Sequence, residues 1–528
     1  MEAEKRDGDD VIFAAVDSQT KKRASNYIPL SFQCKRSRVM VVVTAVGVCA
    51  VIAVGVSLAV ILTPSGSTSH SQKPISLVCS AVASDRRFDC FPVAAGAEGA
   101  KGEEDCVSRG CCWDAEQSVK CYYPDGPRQV HLALTGTPSE MLVSWLELGA
   151  ANDLDDGGLV KYGSVSGQYT MQSLAKSIRY RQSPHKIFRS VLTGLEPNVT
   201  YFYSVGRAGS MSQESSFVSS PRRGQGPNEV IIYGDMGYYD QGAKTGQLVI
   251  NYMKTVHAPV VIHVGDISYA DFRGQKDLTK DSLLWDLFFH RIEPIANSAP
   301  YMVCAGNHDV GPNNDTGMQC GVGYIYRFKM PSQNDTLASD LNCKSSYATQ
   351  VWYSFDYGLV HWTAISTEHD FSKGSEQYDW LERDLNVANK SRDIVPFLFV
   401  YGHRPMYCSH GRGDCETFAT KLRNSIESLL VKYQVDMAVW GHVHAYERTY
   451  PVINSRRTLT TTNGPVHLVV GMAGAEFIGG FDPKPVWSSH REQAFGYCRV
   501  HVVNKTAVKV DFVDDSKGYQ RDSFWLTK

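Results

Sequence analysis

Side chains that are able to bind metal ions follow five apolar runs in this 528-residue chain, from Glu229 onward. Each run leads to a glycine and then to an oxygen or nitrogen donor, in the segments GDMG, GDISY, GNHD, YGHRP and GHVH. The seven donors are Asp235, Asp266, Tyr269, Asn307, His403, His442 and His444. Short apolar runs are typical of buried strands, and open α/β sheets bind ligands where their strands end. We therefore expect these seven side chains to converge on one site.

The composition of this donor set indicates two metal ions. Seven donors exceed the needs of one ion and suit two ions that share a bridging carboxylate. The set contains no thiolate, which excludes soft-metal and iron–sulfur sites and favours hard or borderline ions. A phenolate combined with Asp and His favours Fe(III) at one position. Asn with two His favours a divalent ion at the other.

Apolar runs alternate with amphipathic stretches from Glu229 onward, and this pattern predicts an α/β sandwich that positions the donors. Before it, from Pro127 to about Ser220, short runs such as MLVSWLEL and TYFYSVG alternate with turn residues. This second pattern predicts a β-sandwich without a chemical cluster of its own.

The order GDxG, GDxxY, GNHD, VxxH, GHxH resembles the metallophosphoesterases, and the tyrosine of GDxxY narrows the resemblance to the purple acid phosphatases. The resemblance implies a four-layer α/β/β/α sandwich over residues 228–528, including a C-terminal segment, and a fibronectin-like N-terminal domain over 127–222. It also implies roles for the donors. The ferric ligands would be Asp235, Tyr269 and His444, the divalent-ion ligands Asn307, His403 and His442, and the bridge Asp266.

The chemistry expected of such a centre is hydrolysis of phosphate monoesters, as by an acid phosphatase, with a metal-bound hydroxide as nucleophile and Zn, Mn or Fe as the divalent ion. His308 is the expected phosphate contact or general acid. His410 is a second candidate for substrate contact, on a loop where Cys408 and Cys415 could form a disulfide. In the alternative interpretation, His410 is merely exposed.

Two other functions stay open at this point. Within the same superfamily, the chain could be a phosphodiesterase or nucleotide pyrophosphatase. From another class, it could be a membrane-displayed, glycan-binding adhesive protein with a silent catalytic domain. Nucleic-acid binding is disfavoured, because 53 Lys and Arg against 55 Asp and Glu leave no basic excess.

A cysteine-rich segment precedes the β-sandwich. Six cysteines fall within 43 residues, and a unit this small needs disulfides in an oxidising compartment. Zinc is disfavoured because the segment has no histidine and no CxxC pair. The segments RFDCFP, EDCVSRGCCWD and CYYP resemble a P-type trefoil domain over 79–124. This resemblance implies the pairs Cys79–Cys112, Cys90–Cys111 and Cys106–Cys121, and a glycan or mucin ligand; the alternative is a protease-resistant spacer.

An uncharged run of 24 residues, 39–62, predicts a transmembrane signal anchor, because a helix of this length reaches about 36 Å. Six Lys or Arg lie within twenty residues before it and only Lys73 lies in the matching stretch after it, which predicts a cytoplasmic tail over 1–38. A polar linker over 63–78 and a lumenal or extracellular remainder would follow, as in a single-pass type II protein. A cleaved signal peptide is the rival, but the run is too long and starts too late. The sequons beyond the run are consistent with export, and they lie at Asn198, Asn314, Asn334, Asn389 and Asn504.

Overall fold

The computed structural model describes residues 102–528 except 109–110, 117, 123, 125, 149–156, 179–184, 271–278, 311–320, 332–350 and 412–414. The predicted membrane run 39–62 and the cysteines Cys79 and Cys90 lie outside the described residues. Among the helices that are described, none is long and apolar enough to cross a membrane.

The described part of the cysteine-rich segment is a short helix and a two-stranded ribbon. Its elements are α1 (Glu103–Ser108), β1 (Cys112–Trp113) and β2 (Cys121–Tyr122). The two strands are antiparallel, and Cys106 is bonded to Cys121 as the trefoil resemblance implied. Cys111 and Cys112 are also in disulfides, while their expected partners lie outside the described residues.

Two antiparallel sheets form the predicted β-sandwich. The strands are β3 (Arg128–Ala133), β4 (Met141–Leu148), β5 (Gly158–Gly163), β6 (Met171–Leu174), β7 (Lys176–Ile178), β8 (His185–Leu192), β9 (Thr200–Arg207), β10 (Ser210–Met211) and β11 (Ser215–Val218). One sheet has the order β3-β4-β8-β7 and the other β10-β9-β5-β6, with β11 also paired to β9. Buried aromatic rings fill the space between them, including Trp145 stacked on Phe188 at 5.3 Å. The β-rich N-terminal domain is therefore confirmed.

An α/β region follows the sandwich. Its strands are β12 (Asn228–Tyr233), β13 (Pro259–His263), β14 (Tyr301–Val303), β15 (Tyr353–Tyr357), β16 (Val360–Ala364), β17 (Phe397–Tyr401), β18 (Met437–Trp440), β19 (Tyr446–Thr449), β20 (Val452–Ile453), β21 (Arg456–Arg457), β22 (Val466–Val470), β23 (Ser488–Glu492), β24 (Gly496–Asn504), β25 (Ala507–Asp514) and β26 (Tyr519–Thr527). Its helices are α2 (Asp240–Met253), α3 (Thr279–Ala296), α4 (Asn307–Val310), α5 (Val322–Arg327), α6 (Glu376–Asn389), α7 (Thr417–Leu422) and α8 (Ser428–Lys432), with a π-helical turn between α7 and α8.

Two mixed sheets form the centre of this region. The first has the order β14-β13-β12-β24-β25-β26, and the second β15-β16-β17-β18-β22-β19-β23. Strands β12, β13 and β14 are parallel, as are β16, β17, β18 and β22. In β17, Phe399 and Tyr401 join the core that includes the first sheet, while Leu398 and Val400 join a second core with α6. Both faces of the second sheet are thus covered, which confirms the α/β fold.

The β-sandwich docks on the α/β region through buried charge. Asp286 of α3 and Arg327 of α5 form an ion pair of 2.8 Å in which the side chains are 1% and 0% exposed. The Gln129 amide, from β3, donates to Asp286 at 3.1 Å and accepts from Arg327 at 3.1 Å. A side chain of one domain thereby completes an ion pair of the other, which ties the two domains together.

We expect Asp286→Ala to lower the free energy of unfolding by about 3–5 kcal/mol, because it removes the carboxylate that pairs with the buried charge of Arg327. The measurement is urea denaturation. Asp240→Ala is the matched control: its carboxylate is exposed and pairs with Arg291 at 3.3 Å, so a change within about 1 kcal/mol is expected. Equal losses in the two variants would contradict the importance of the buried pair.

Candidate metal centre

The seven predicted donors lie at the carboxyl ends of parallel strands from both central sheets. Four of them follow β12, β13 and β14 of the first sheet, and the three histidines follow β17 and β18 of the second. Because the sheets face each other, the two sets of turns meet at one edge of the sandwich. The convergence expected from the sequence is thus present.

The donors form two groups. In the first, the Tyr269 hydroxyl lies 3.2 Å from Asp235 Oδ1 and 3.0 Å from His444 Nε2. In the second, His403 Nε2 lies 3.1 Å from Asp266 Oδ2 and 3.1 Å from Asn307 Oδ1.

The ligand atoms of Asp266, His403 and His442 lie within 4.8 Å of one another, which places His442 in the second group. The two groups have the membership that the family resemblance implied for two ions.

The backbone at four donors adopts the left-handed conformation that L-residues seldom adopt. The φ angles are 58° at Asp235, 49° at Asp266, 55° at Tyr269 and 67° at His442. Each such residue costs of order 1–3 kcal/mol and persists only where its surroundings impose it, and such positions cluster at functional sites. The turns are therefore locally less stable than ordinary backbone, and this conformation orients the four side chains toward the site.

Glycine backbone encloses both carboxylates. A Cβ atom at Gly306 would lie 2.3 Å from Asp266 Oδ1, and one at Gly441 would lie 2.6 Å from Asp235 Oδ2. Any larger residue at either position would have to displace a donor. The glycines that the sequence places before the donors are therefore needed because main chain packs directly against the ligand atoms.

Hydrogen bonds fix the orientation of the donors. His403 Nδ1 donates to the Val264 carbonyl at 3.0 Å, so its Nε2 faces the site. His444 Nδ1 bonds the Glu476 carbonyl in the same way. The backbone N–H of His442 donates to Asp235 Oδ2 at 2.8 Å. Such outer contacts select the tautomer and rotamer that a metal ligand needs.

The electrostatics of the site call for cations. Burial opposes protonation of His403, but the charges of Asp266 and Asp235 outweigh it and raise the pKa of His403 to about 10. Burial and the same two carboxylates hold the pKa of Tyr269 well above its usual value. A nearby cation would offset both effects, so the carboxylates, imidazoles and phenol present fit a pair of metal ions.

The two histidines expected to contact substrate lie in different surroundings. His308 Nε2 is 4.0 Å from Asp266 Oδ2, its ring lies on the Tyr269 ring at 4.5 Å, and 30% of its side chain is exposed. His410 is 1% exposed and packs on Phe481, so the alternative that it is merely exposed is wrong. The expected disulfide between Cys408 and Cys415 is present beside it.

Other residues of the site escaped the sequence analysis. Asp309 accepts hydrogen bonds from the backbone of Ile267 at 3.0 Å and Gly306 at 2.8 Å, and thus joins two donor turns. Burial and then the charge of Asp266 raise the pKa of Asp309 to about 8. The final D of GNHD was the available signal, because an acid beside a ligand in a tight turn commonly caps neighbouring backbone N–H groups.

Arg404 was also missed. Its Nη1 lies 3.3 Å from His442 Nε2, and its Nε donates to both oxygens of Glu368 at 3.0 and 3.1 Å. Its position directly after the donor His403, in HRPM, could have indicated it. Its partner Glu368 is 36 positions away, and no sequence pattern indicates that residue.

Comparison with known proteins identifies four family matches. The chain matches the trefoil (P-type) domain over residues 79–124 and the purple acid phosphatase N-terminal domain over 127–219. It also matches the calcineurin-like phosphoesterase family over 224–446 and the iron/zinc purple acid phosphatase-like C-terminal family over 464–523.

Individual relatives extend this result. Human acid phosphatase type 7 is 33% identical over 430 residues, which cover 76% of this chain and 91% of that protein. Arabidopsis thaliana probable inactive purple acid phosphatase 9 is 33% identical over 75% of this chain and 66% of its own length. The solved purple acid phosphatase PPD1 from yellow lupin superposes with a TM-score of 0.66 at 28% identity, covering 76% of this chain and 75% of that one.

These matches and the convergence of the metal-binding motifs agree, and the chain belongs to the purple acid phosphatase family, with a P-type trefoil domain preceding the phosphatase domains.

Proposed function

We propose that this protein is an acid phosphatase that hydrolyses phosphate monoesters at a dinuclear Fe(III)–M(II) centre. The observation that carries the proposal is the complete set of seven donors, oriented inward in two groups around Asp266. Some relatives are named inactive, as the Arabidopsis protein is. The intact donor set and the phosphatase name of the human relative favour activity here.

The two groups would hold different ions. Asp235, Tyr269 and His444 would bind Fe(III), because a phenolate is a hard anionic donor and a trivalent ion favours ionisation of this buried phenol, whose pKa is raised. Asn307, His403 and His442 would bind Zn, Mn or Fe as the divalent ion, and Asp266 would be the ligand shared by both ions. When bound, such a metal pair supplies the positive charge that binds phosphate and lowers the pKa of the attacking water.

The side chains around the centre divide the remaining work. The ring of His308 is partly exposed beside Asp266, so it can meet the ester oxygen and protonate the departing alkoxide while water adds to phosphorus. A substrate contact by His410 stays a prediction. Because its side chain is buried against Phe481, a direct contact would require this side chain to become exposed.

The setting that we propose is lumenal or extracellular. Disulfides at Cys106–Cys121 and Cys408–Cys415 favour an oxidising compartment. The sequon residues Asn198 and Asn504 are exposed, as glycan attachment requires. The signal anchor at 39–62 and a glycan or mucin ligand for the trefoil remain predictions of the same proposal.

We expect Asp266→Asn and His442→Ala each to lower the rate of 4-nitrophenyl phosphate hydrolysis by more than about 100-fold. Loss of a residue that only hydrogen-bonds a metal ligand costs up to about 100-fold, so loss of a ligand itself should exceed that. Exposed His257 provides the control, since His257→Ala should retain the wild-type rate. A near-normal rate in either donor variant, with folding verified by circular dichroism, would refute the two-metal scheme. Turnover of a diester faster than a monoester would favour the phosphodiesterase alternative.

A broad visible absorption band is expected for the purified protein, because a phenolate bound to Fe(III) gives a charge-transfer transition. Tyr269→Phe should abolish this band, whereas Tyr239→Phe, whose ring lies 5.6 Å from that of Tyr269, should leave it in place. The measurement is the visible spectrum alongside metal analysis. A colourless protein with two bound metals and full activity would instead indicate an ordinary dinuclear phosphoesterase.

The general-acid role of His308 predicts a dependence on the leaving group. His308→Ala should lower kcat for glycerol 1-phosphate by about 100-fold, because its alkoxide must be protonated to depart. The loss for 4-nitrophenyl phosphate should be much smaller, since nitrophenolate leaves unprotonated. Equal losses on both substrates would assign His308 to phosphate binding and not to proton donation.

A further inference from the structure

A cavity of about 480 Å³ lies beside the candidate metal centre. One wall is the segment 367–371, which follows β16, and another is Arg404, which follows β17; α7 contributes the outer side. Strands β16 and β17 are parallel neighbours, and β17 also leads to His403. The cavity therefore opens at the same strand ends that carry the donors.

Arg404 is the wall that separates the cavity from the metal centre. Its Nη1 faces His442 Nε2 at 3.3 Å, while its Nε is held by the Glu368 carboxylate. Its backbone N–H donates to Thr367 Oγ1 at 2.9 Å, and Thr367 Oγ1 donates to Glu368 Oε1 at 2.9 Å. These contacts fix the guanidinium between the donor His442 and the cavity.

The outer part of the cavity carries one positive and one negative side chain, and neither forms an ion pair within the part of the chain that the structure describes. Lys421 is exposed, and its ammonium lies 5.1 Å from the centre of the Phe371 ring. The Asp370 carboxylate accepts hydrogen bonds from Ser372, from N at 2.9 Å and from Oγ at 2.7 Å, and these bonds and Lys421 keep its pKa below the usual value. Glu368, by contrast, is neutralised by Arg404.

This arrangement has a chemical consequence for the ligand. A purely anionic group in the cavity would meet Lys421 but would also face Asp370, and a purely cationic group would face the reverse conflict. A group that carries both charges satisfies both residues, and a cavity of this volume has room for it.

We propose that this cavity is the leaving-group subsite and that it favours zwitterionic leaving groups, as in O-phosphoamino acids. The inference rests on the proposed phosphatase function. The scissile phosphate lies at the metal centre beside Arg404, the ammonium of the leaving group faces Asp370, and its carboxylate faces Lys421. Hydrolysis breaks the phosphorus–oxygen ester bond with water and releases the free amino acid and phosphate.

Four substrates with the same O–CH₂–C skeleton separate these contacts. O-Phosphoserine carries both charges, phosphoethanolamine only the ammonium, 3-phosphoglycerate only the carboxylate, and glycerol 1-phosphate neither. With the metal-loaded full-length protein, kcat/KM should be highest for O-phosphoserine. Each charge should contribute about threefold to fivefold, as exposed charge pairs do.

Each of two substitutions should lower a different substrate ratio. Lys421→Gln should lower the preference for O-phosphoserine over phosphoethanolamine by about threefold to fivefold, and Asp370→Asn should do the same for O-phosphoserine over 3-phosphoglycerate. Lys161, exposed on the β-sandwich, is the control, and Lys161→Gln should leave all ratios at wild-type values.

The outcomes distinguish this proposal from the function on which it rests. If wild type hydrolyses all four esters but the two substitutions leave the ratios unchanged, the subsite is refuted and the phosphatase function stands. If each substitution lowers all four rates equally, the residues act on folding or on the metal centre, and the subsite is again refuted. If none of the esters is hydrolysed by metal-loaded protein, both proposals fail.

Discussion

The structure of the α/β region depends on the burial of two carboxylates, Asp235 and Asp266, at the edge where two sheets meet. Both side chains are buried, and the two carboxylates are close enough to repel each other electrostatically. Protein interiors accept such charge only when it is paired, and here the partners are histidines of the facing sheet. The charges of Asp266 and Asp235 raise the pKa of His403 to about 10, so a metal ion that takes this imidazole as a ligand would have to displace a proton from it.

The same burial explains why the turns at the site depart from ordinary backbone geometry. A buried carboxylate needs hydrogen-bond donors in place of water. Backbone N–H groups can act as these donors only where the main chain packs close to the carboxylate oxygens. Gly306 and Gly441 permit that approach, while the left-handed residues rotate the adjacent peptides toward the oxygens. The His308 and His442 N–H groups then donate to Asp266 and Asp235. The backbone conformations that cost free energy in the turns are thus the same ones that bring N–H donors to the buried carboxylates.

Much of this architecture could be predicted from the sequence, because strand-end donors obey local rules. An apolar run, a glycine and a donor are adjacent in the chain, so the five motifs indicated both the α/β class and the membership of the site. Contacts between distant segments could not be predicted in this way. Glu368 holds Arg404 because β16 and β17 are neighbours, and no spacing in the sequence encodes that pairing. His410 illustrates the same limit: its burial depends on the 479–482 segment, which is remote in the chain. Similarly, that Cys304 and Cys498 are buried free thiols follows from sheet packing and not from their positions in the sequence.

The way the β-sandwich docks has a consequence for the mechanics of the protein. Gln129 of the sandwich completes the buried Asp286–Arg327 pair, and Tyr203 donates to the Asn297 carbonyl at 2.6 Å nearby. Separating the domains would leave Asp286 and Arg327 paired with each other but would remove the Gln129 amide from both and break the Tyr203 hydrogen bond. We therefore expect the sandwich to stay fixed against the α/β region, and the two fragments to stay associated if the connector between them is cleaved by a protease, with the covalent link contributing mainly to their effective concentration.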